Sequence, residues 1–127
     1  MIPVNMRDGI LLGTGLGNAD WNDSAPHGAG RIMKREDVKQ RFTVSQFKSE
    51  MKGIYCTCID KGTLDEAPFA YRGMDEITER VTDTVRIEKL IRPLYCYKQA
   101  VNDKRRGDKN GKIQRNAMQI LYCFRTV

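Results

Sequence analysis

Ser24-Ala25-Pro26-His27-Gly28-Ala29-Gly30-Arg31 is the stretch on which the reading of this chain turns. His27 is the only histidine in 127 residues. Pro26 before it has a fixed φ and no N–H, which suits the middle of neither a helix nor a sheet. Gly28 and Gly30 flank a residue no larger than alanine, so the backbone there can approach something bulky such as a phosphate. Arg31 is a planar, permanently charged fork suited to phosphate or carboxylate oxygens. A helix opening at Gly28 would aim its free N–H groups the same way. These residues describe an exposed imidazole beside an anion site, where a neutral imidazole can be a proton shuttle, a metal ligand or a nucleophile. The alternative is a structural histidine whose hydrogen bonds are satisfied within the fold.

Working outward, the same kind of word recurs. Asn5-Met6-Arg7-Asp8-Gly9 lies upstream, followed by Gly17-Asn18-Ala19-Asp20-Trp21-Asn22. Downstream come Leu64-Asp65-Glu66-Ala67-Pro68-Phe69-Ala70-Tyr71-Arg72 and Arg92-Pro93-Leu94-Tyr95-Cys96-Tyr97-Lys98. In this order and spacing the words resemble the carboxy-terminal part of the RtcB family, the tRNA-splicing RNA ligases. The resemblance runs from about Ile2 to Lys98. It divides the chain into an RtcB-like segment, 1–98, and a basic tail, 99–127.

The resemblance implies an enzyme that joins an RNA end bearing a 2′,3′-cyclic phosphate or 3′-phosphate to an end bearing a 5′-hydroxyl, such as tRNA halves. It implies GTP as cofactor, held as covalent GMP, and manganese in the complete enzyme. His27 matches the histidine that becomes guanylylated. Gly28, Ala29 and Gly30 match the guanylate-contacting backbone beside it. Pro3, Val4, Asn5 and Met6 match a second nucleotide-contacting turn, Lys98 a near-terminal lysine that contacts guanine, and Tyr71 a stacking neighbour of the base. Ile10 stands where a small hydroxyl residue meeting the nucleotide is usual, and Lys34 where serine is common. The family's metal ligands are an Asp, a Cys and histidines from a longer upstream region, so no metal ligand is expected among these residues. A partner chain carrying the upstream part is one implication. A truncated, inactive remnant that binds a nucleotide or a partner is the alternative.

Composition bounds the rest. A chain of 127 residues allows one domain with a modest core, and 30% charged with 40% hydrophobic residues is a soluble globular composition. No apolar run approaches the roughly 20 residues of a membrane span, and the N-terminus lacks the pattern of a secretory signal. The net charge of +6 is uneven. Residues 1–98 carry 15 Lys and Arg against 14 Asp and Glu, and residues 99–127 carry 7 against 2. The basic excess therefore lies in the tail and says little about what His27 meets. Cys56, Cys58, Cys96 and Cys123 form no CxxC pair, and read as small reduced thiols of a cytoplasmic protein.

The expected fold is α+β, with strands and short helices that do not form a Rossmann unit. Ile2 to Asp8 reads as a loop and Gly9–Gly13 as a buried strand. Gly13 to Asp23 reads as turns, with Trp21 anchoring them by burial or, alternatively, stacking on a base. A helix is expected between Gly28 and Phe42, with Ile32, Val38 and Phe42 as its apolar residues. Thr43 and Gln46 form a capping box for a helix carrying Phe47 and Met51 and stopping near Gly53. Ile54–Ile59 reads as a strand. Lys61–Arg72 reads as a loop, its Asp65-Glu66 pair serving acid–base chemistry or, more simply, a solvated or capping role. Met74, Ile77 and Val81 recur at helical spacing. Thr84–Lys98 is strand-like, with Pro93 at an edge or bulge. Asn102–Arg115 reads as a flexible linker, and Ile113 to Phe124 as an amphipathic helix or, over Ile120–Phe124, a strand.

Overall fold

In the computed structural model, residues 1–98 and the strand 120–126 are described. The fold is α+β, as the run of short strands and helices requires. Its strands are β1 (Ile2–Asn5), β2 (Gly9–Gly15), β3 (Tyr55–Cys56), β4 (Val85–Lys98) and β5 (Ile120–Thr126), and its helices are α1 (Arg35–Arg41), α2 (Val44–Glu50) and α3 (Met74–Arg80). The strands form one mixed sheet in the order β1-β2-β4-β3, with β5 also paired to β4. The 14-residue β4 is its spine. β2 runs antiparallel to it from Ile10↔Ile91 to Gly15↔Val85, and β3 runs parallel to it at Tyr55↔Tyr95 and Cys56↔Cys96.

Ile2 to Asn5 is a strand, where a loop was expected. Its pattern supports this: Ile2 and Val4 are buried around an exposed Pro3. β1 stands at the end of the strand order, where a missing N–H is tolerated. Pro93 sits at a register shift in the β4–β5 ladder, between Pro93 and Tyr95, which is the expected bulge. Ile120–Phe124 belongs to strand β5, the second of the two readings. The linker expected over Asn102–Arg115 lies outside the described residues, as does the expected contact of the Lys98 side chain.

Among the described residues the core forms two clusters. Ile2, Val4, Leu11 and Ala29 pack with Ile77, Val81 and Val85, so the 74–77–81 spacing is the buried stripe of α3. Met6, Phe47, Met51, Cys58, Leu64, Ala67 and Cys96 form the other cluster. α2 starts at the expected capping box. Thr43 Oγ1 accepts from the Gln46 backbone N–H at 3.3 Å, and Gln46 Oε1 accepts from the Thr43 N–H at 2.8 Å. Only Tyr55–Cys56 of the 54–59 run pairs as a strand.

Three expectations fail. No helix opens at Gly28; α1 begins at Arg35. Before it, Gly30 has φ +74° and Arg31 forms a β-bridge to Tyr71, and neither is compatible with a helix. Ile32 is accordingly exposed, whereas Val38 is buried. Trp21 is 60% exposed and does not anchor its loop. Asn18 does so instead: its Oδ1 accepts from Asp20 N–H at 3.0 Å and its Nδ2 donates to Asp83 O at 3.0 Å. The Asp65-Glu66 pair is not solvated. It lies in the first of two single-turn 3-10 helices, Leu64–Glu66 and Pro68–Ala70, with each carboxylate residue only 5% exposed.

Candidate functional site

His27 is exposed on the loop between the Ala19–Trp21 turn and α1. Two neighbouring segments hold that loop. On one side the Ala29 N–H donates to Pro3 O at 3.0 Å, and Ala29 is buried in the cluster with Ile2 and Val4. On the other, Arg72 N–H donates to Gly30 O at 3.2 Å and Ile32 N–H donates to Ala70 O at 3.0 Å. Gly30 makes the turn between these two attachments, at a left-handed φ that a residue with Cβ rarely adopts. Gly28 has no such constraint. A Cβ there would meet Pro3 O at 3.5 Å, an ordinary contact. The packing of the described residues therefore does not itself demand glycine at 28.

The fold thus brings together Pro3, Ile10, His27 and Ala29, which are scattered in sequence. Ile10 pairs with Pro3 across β1 and β2. Val4 and Met6 are both buried, one in each core cluster. Only their backbone is left to meet a ligand. Asn5 shapes the turn that follows. Its Oδ1 accepts from the N–H groups of Arg7 and Asp8, at 2.9 and 2.8 Å, and its Nδ2 donates to Asp8 Oδ2 at 2.7 Å. Burial pushes the Asp8 carboxyl up, but hydrogen bonds from Arg7 and Asn5 outweigh it and hold the group below its usual range.

Arg31 is not a free fork for phosphate. Its Nε donates to Met33 O at 3.3 Å, its Nη1 to Tyr71 Oη at 3.0 Å and its Nη2 to Asp65 O at 2.5 Å. The guanidinium also lies over the Tyr71 ring, 4.9 Å from its centroid. Tyr71 Oη in turn donates to Glu66 Oε2. Arg35 bonds both Asp65 and Glu66, and Lys39 Nζ lies 3.3 Å from Asp65 Oδ1. Burial lowers the affinity of Arg35 for its proton, but the hydrogen bonds to Glu66 and Asp65 outweigh it and raise its pKa. Burial, and then the bond to Glu66, push the Tyr71 phenol up to about 12. The acidic pair is therefore charge-neutralising scaffold beneath the histidine loop. The signal for it was in the sequence: Arg31, Arg35 and Lys39 repeat at four-residue spacing opposite Asp65-Glu66.

The thiols lie elsewhere. Cys56 and Cys58 have their sulfurs 3.4 Å apart, and Cys96 Sγ donates to Met6 O at 3.1 Å. Burial, and then the two neighbouring thiols, push Cys96 up to about 12. Among the described residues no group of three His, Cys, Asp or Glu side chains is placed to hold a metal ion, so manganese does not fit these residues alone. No helix among them is long and apolar enough to cross a membrane.

The described residues thus form one mixed sheet with short helices that leaves a single histidine exposed on a loop. The sequence model of the tRNA-splicing ligase RtcB family matches residues 1–99, and the chain belongs to the RtcB family. It is 32% identical over 98 residues to the RNA-splicing ligase RtcB of Escherichia coli strain K12, covering 77% of this chain and 24% of that protein. It is 38% identical over 96 residues to the tRNA-splicing ligase RtcB of Aeropyrum pernix, covering 72% of this chain and 20% of that one. The chain therefore spans about a quarter or less of the length of these relatives. Strand β5 lies beyond the matched region.

Proposed function

We propose that this chain is the nucleophile-bearing segment of a GTP-dependent RNA ligase that joins 3′-phosphate or 2′,3′-cyclic phosphate ends to 5′-hydroxyl ends, with His27 as the residue that takes up GMP. The observation that carries the reading is the Ala29–Pro3 hydrogen bond. It sets the two segments expected to contact the nucleotide side by side, with the exposed imidazole of His27 at their junction. An imidazole whose ring nitrogen is free of the proton attacks the α-phosphorus of GTP, and pyrophosphate leaves as the P–N bond forms. An oxygen of the RNA 3′-phosphate then attacks the same phosphorus and the imidazole leaves. The 5′-hydroxyl oxygen finally attacks the RNA phosphorus and GMP leaves.

The backbone of residues 3–6 and 28–30 would hold the nucleotide, and Gly28 leaves room for it. Tyr71 and Lys98 are proposed as contacts of the base. For Tyr71 the ring face turned to Arg31 is already occupied, which leaves the other face. The ligands of manganese would come from the upstream part of the enzyme, so no metal-assisted step is assigned to these residues. Among the described residues Cys56, Cys58 and Cys96 are free thiols, which suits a reducing compartment such as the cytosol.

Incubation with radiolabelled GTP and manganese, followed by denaturing electrophoresis, tests the reading. The isolated chain is expected to label little or not at all, and labelling is expected to appear when the upstream part of a relative is supplied as a second chain. His27→Ala abolishes that labelling and Cys56→Ala leaves it intact. An acid-labile, alkali-stable GMP adduct on the complemented His27→Ala protein would overturn the assignment.

A further inference from the structure

On the far side of β4 from the α2 core lies a row of tyrosines. Alternation along the strand puts Tyr95 and Tyr97 on one face and Cys96 on the other. Cys96 is fully buried with Phe47 and Met51, so helix α2 covers its face of the strand. The tyrosine face is open: Tyr55 is 69% and Tyr97 43% exposed. The parallel register sets Tyr55 beside Tyr95. Their rings stack with centroids 5.5 Å apart at 27°, and a hydrogen bond of 3.1 Å between Thr57 Oγ1 and Tyr95 Oη fixes the lower ring. Tyr55 thus presents a flat, supported aromatic surface outward.

A cleft of about 430 Å³ is lined by residues that come just before the platform tyrosines in sequence, Lys52 and Ile54 before Tyr55 and Arg92 and Leu94 before Tyr95, together with Arg7 and Asp8. Arg7 is committed to Asp8 and Glu50. Lys52 and Arg92 are exposed; neither makes a close ion pair among the described residues, although the charge of Arg92 acts on the Asp8 carboxylate. Each leads within three residues into a platform tyrosine, Lys52 into Tyr55 and Arg92 into Tyr95. The ladder also sets the backbone of Arg125 in β5 opposite Arg92. Supported aromatic rings beside exposed cations are the two components of single-strand recognition: bases stack on the rings and phosphates lie along the charges. A duplex hides its base faces and cannot use the rings.

We propose that the Tyr55–Tyr95–Tyr97 face and the Lys52–Arg92 cleft together bind single-stranded RNA, at a site separate from His27. The proposal goes beyond the ligase reading, because it needs neither the imidazole nor a bound nucleotide.

Fluorescence anisotropy of a labelled ten-nucleotide single-stranded RNA, titrated with the full chain across a salt series, tests it. Tyr55→Ala should weaken binding about tenfold, while Tyr55→Phe, which keeps the ring, should bind within about twofold of the parent. The double change Lys52→Glu and Arg92→Glu should also weaken binding and flatten the log–log salt slope by about two. A duplex of the same length should bind more weakly, and His27→Ala should bind as the parent does. Equal affinity for the parent, Tyr55→Ala and the double variant would overturn the proposal, since the basic tail would then carry the binding. Absence of saturable binding would overturn it too. So would Tyr55→Ala disrupting association with a supplied upstream chain while leaving RNA affinity unchanged, because the face would then be a protein interface. Circular dichroism of each variant checks that it is folded.

Discussion

Arg31 and Tyr71, forty residues apart, meet twice: Nη1 of Arg31 donates to Tyr71 Oη at 3.0 Å, and its guanidinium lies 4.9 Å above the Tyr71 ring. The pair closes the histidine loop onto the 70–72 segment. Replacing Arg31 with Lys keeps the charge and removes the fork, which also serves Met33 O and Asp65 O. A cost of about 1–3 kcal/mol in urea unfolding is expected, because an ammonium cannot reproduce that geometry. Stability equal to the parent would mean that the fork does not hold the loop.

Tyr71→Phe should cost about 2–4 kcal/mol, because the hydroxyl bonds two charged groups, Arg31 and the buried Glu66. It also has a spectroscopic mark. The phenol ionises only near pH 12, so the parent-minus-variant absorbance at 295 nm should step near pH 12 and not near 10. A raised folded-state pKa means that the contribution of this group to stability is full below about pH 10. It is lost as pH rises through about 12.

Gly9 and Gly53 both sit at φ +92°, but a Cβ at Gly9 would lie 2.0 Å from Ile91 O whereas one at Gly53 meets nothing within 4 Å. Gly53→Ala should cost about 1–2 kcal/mol of backbone strain. Gly9→Ala should cost more than about 3 kcal/mol, or prevent folding, because the β2–β4 ladder must open to admit the methyl group. Comparable thermal midpoints for the two variants would contradict the close approach of the strands.

The thiol of Cys96 is buried and its pKa is raised to about 12. At pH 8 iodoacetamide should therefore modify half-buried Cys56 well before Cys96, as read by peptide mass mapping, because the thiolate is the reacting species. Stability linked to Cys96 is full below about pH 9 and falls as pH rises through 12. Early modification of Cys96 in the folded chain would refute its placement.

Thr43→Ala should cost about 1 kcal/mol through loss of the cap on α2. Thr43→Asn should recover most of that. Chemical denaturation of the two variants measures the difference.

Much of this protein is decided locally and was legible in the sequence. The Thr43–Gln46 capping box needs only its own backbone. The 74–77–81 stripe and the strand character of β2 and β4 follow from side-chain periodicity. The glycine-flanked His27 word marks the candidate site by residue type, and its resemblance points to the family. What the tertiary structure decided are the pairings between distant segments. Pairing with β2 makes the proline-containing N-terminus a strand, and the Ala29–Pro3 bond holds the histidine loop beside it. The bridge from Arg31 to Tyr71 stops a helix from starting at Gly28 and draws Arg31 away from any phosphate. Arg31, Arg35 and Lys39 arrive above Asp65 and Glu66, so an acidic pair that local rules place in solvent is buried instead. The Asn18 side chain reaches Asp83 and leaves Trp21 outside. Each departure has one physical reason: a buried charge or an unpaired backbone group costs more than a local preference is worth, and its partner lies too far along the chain for any local pattern to name.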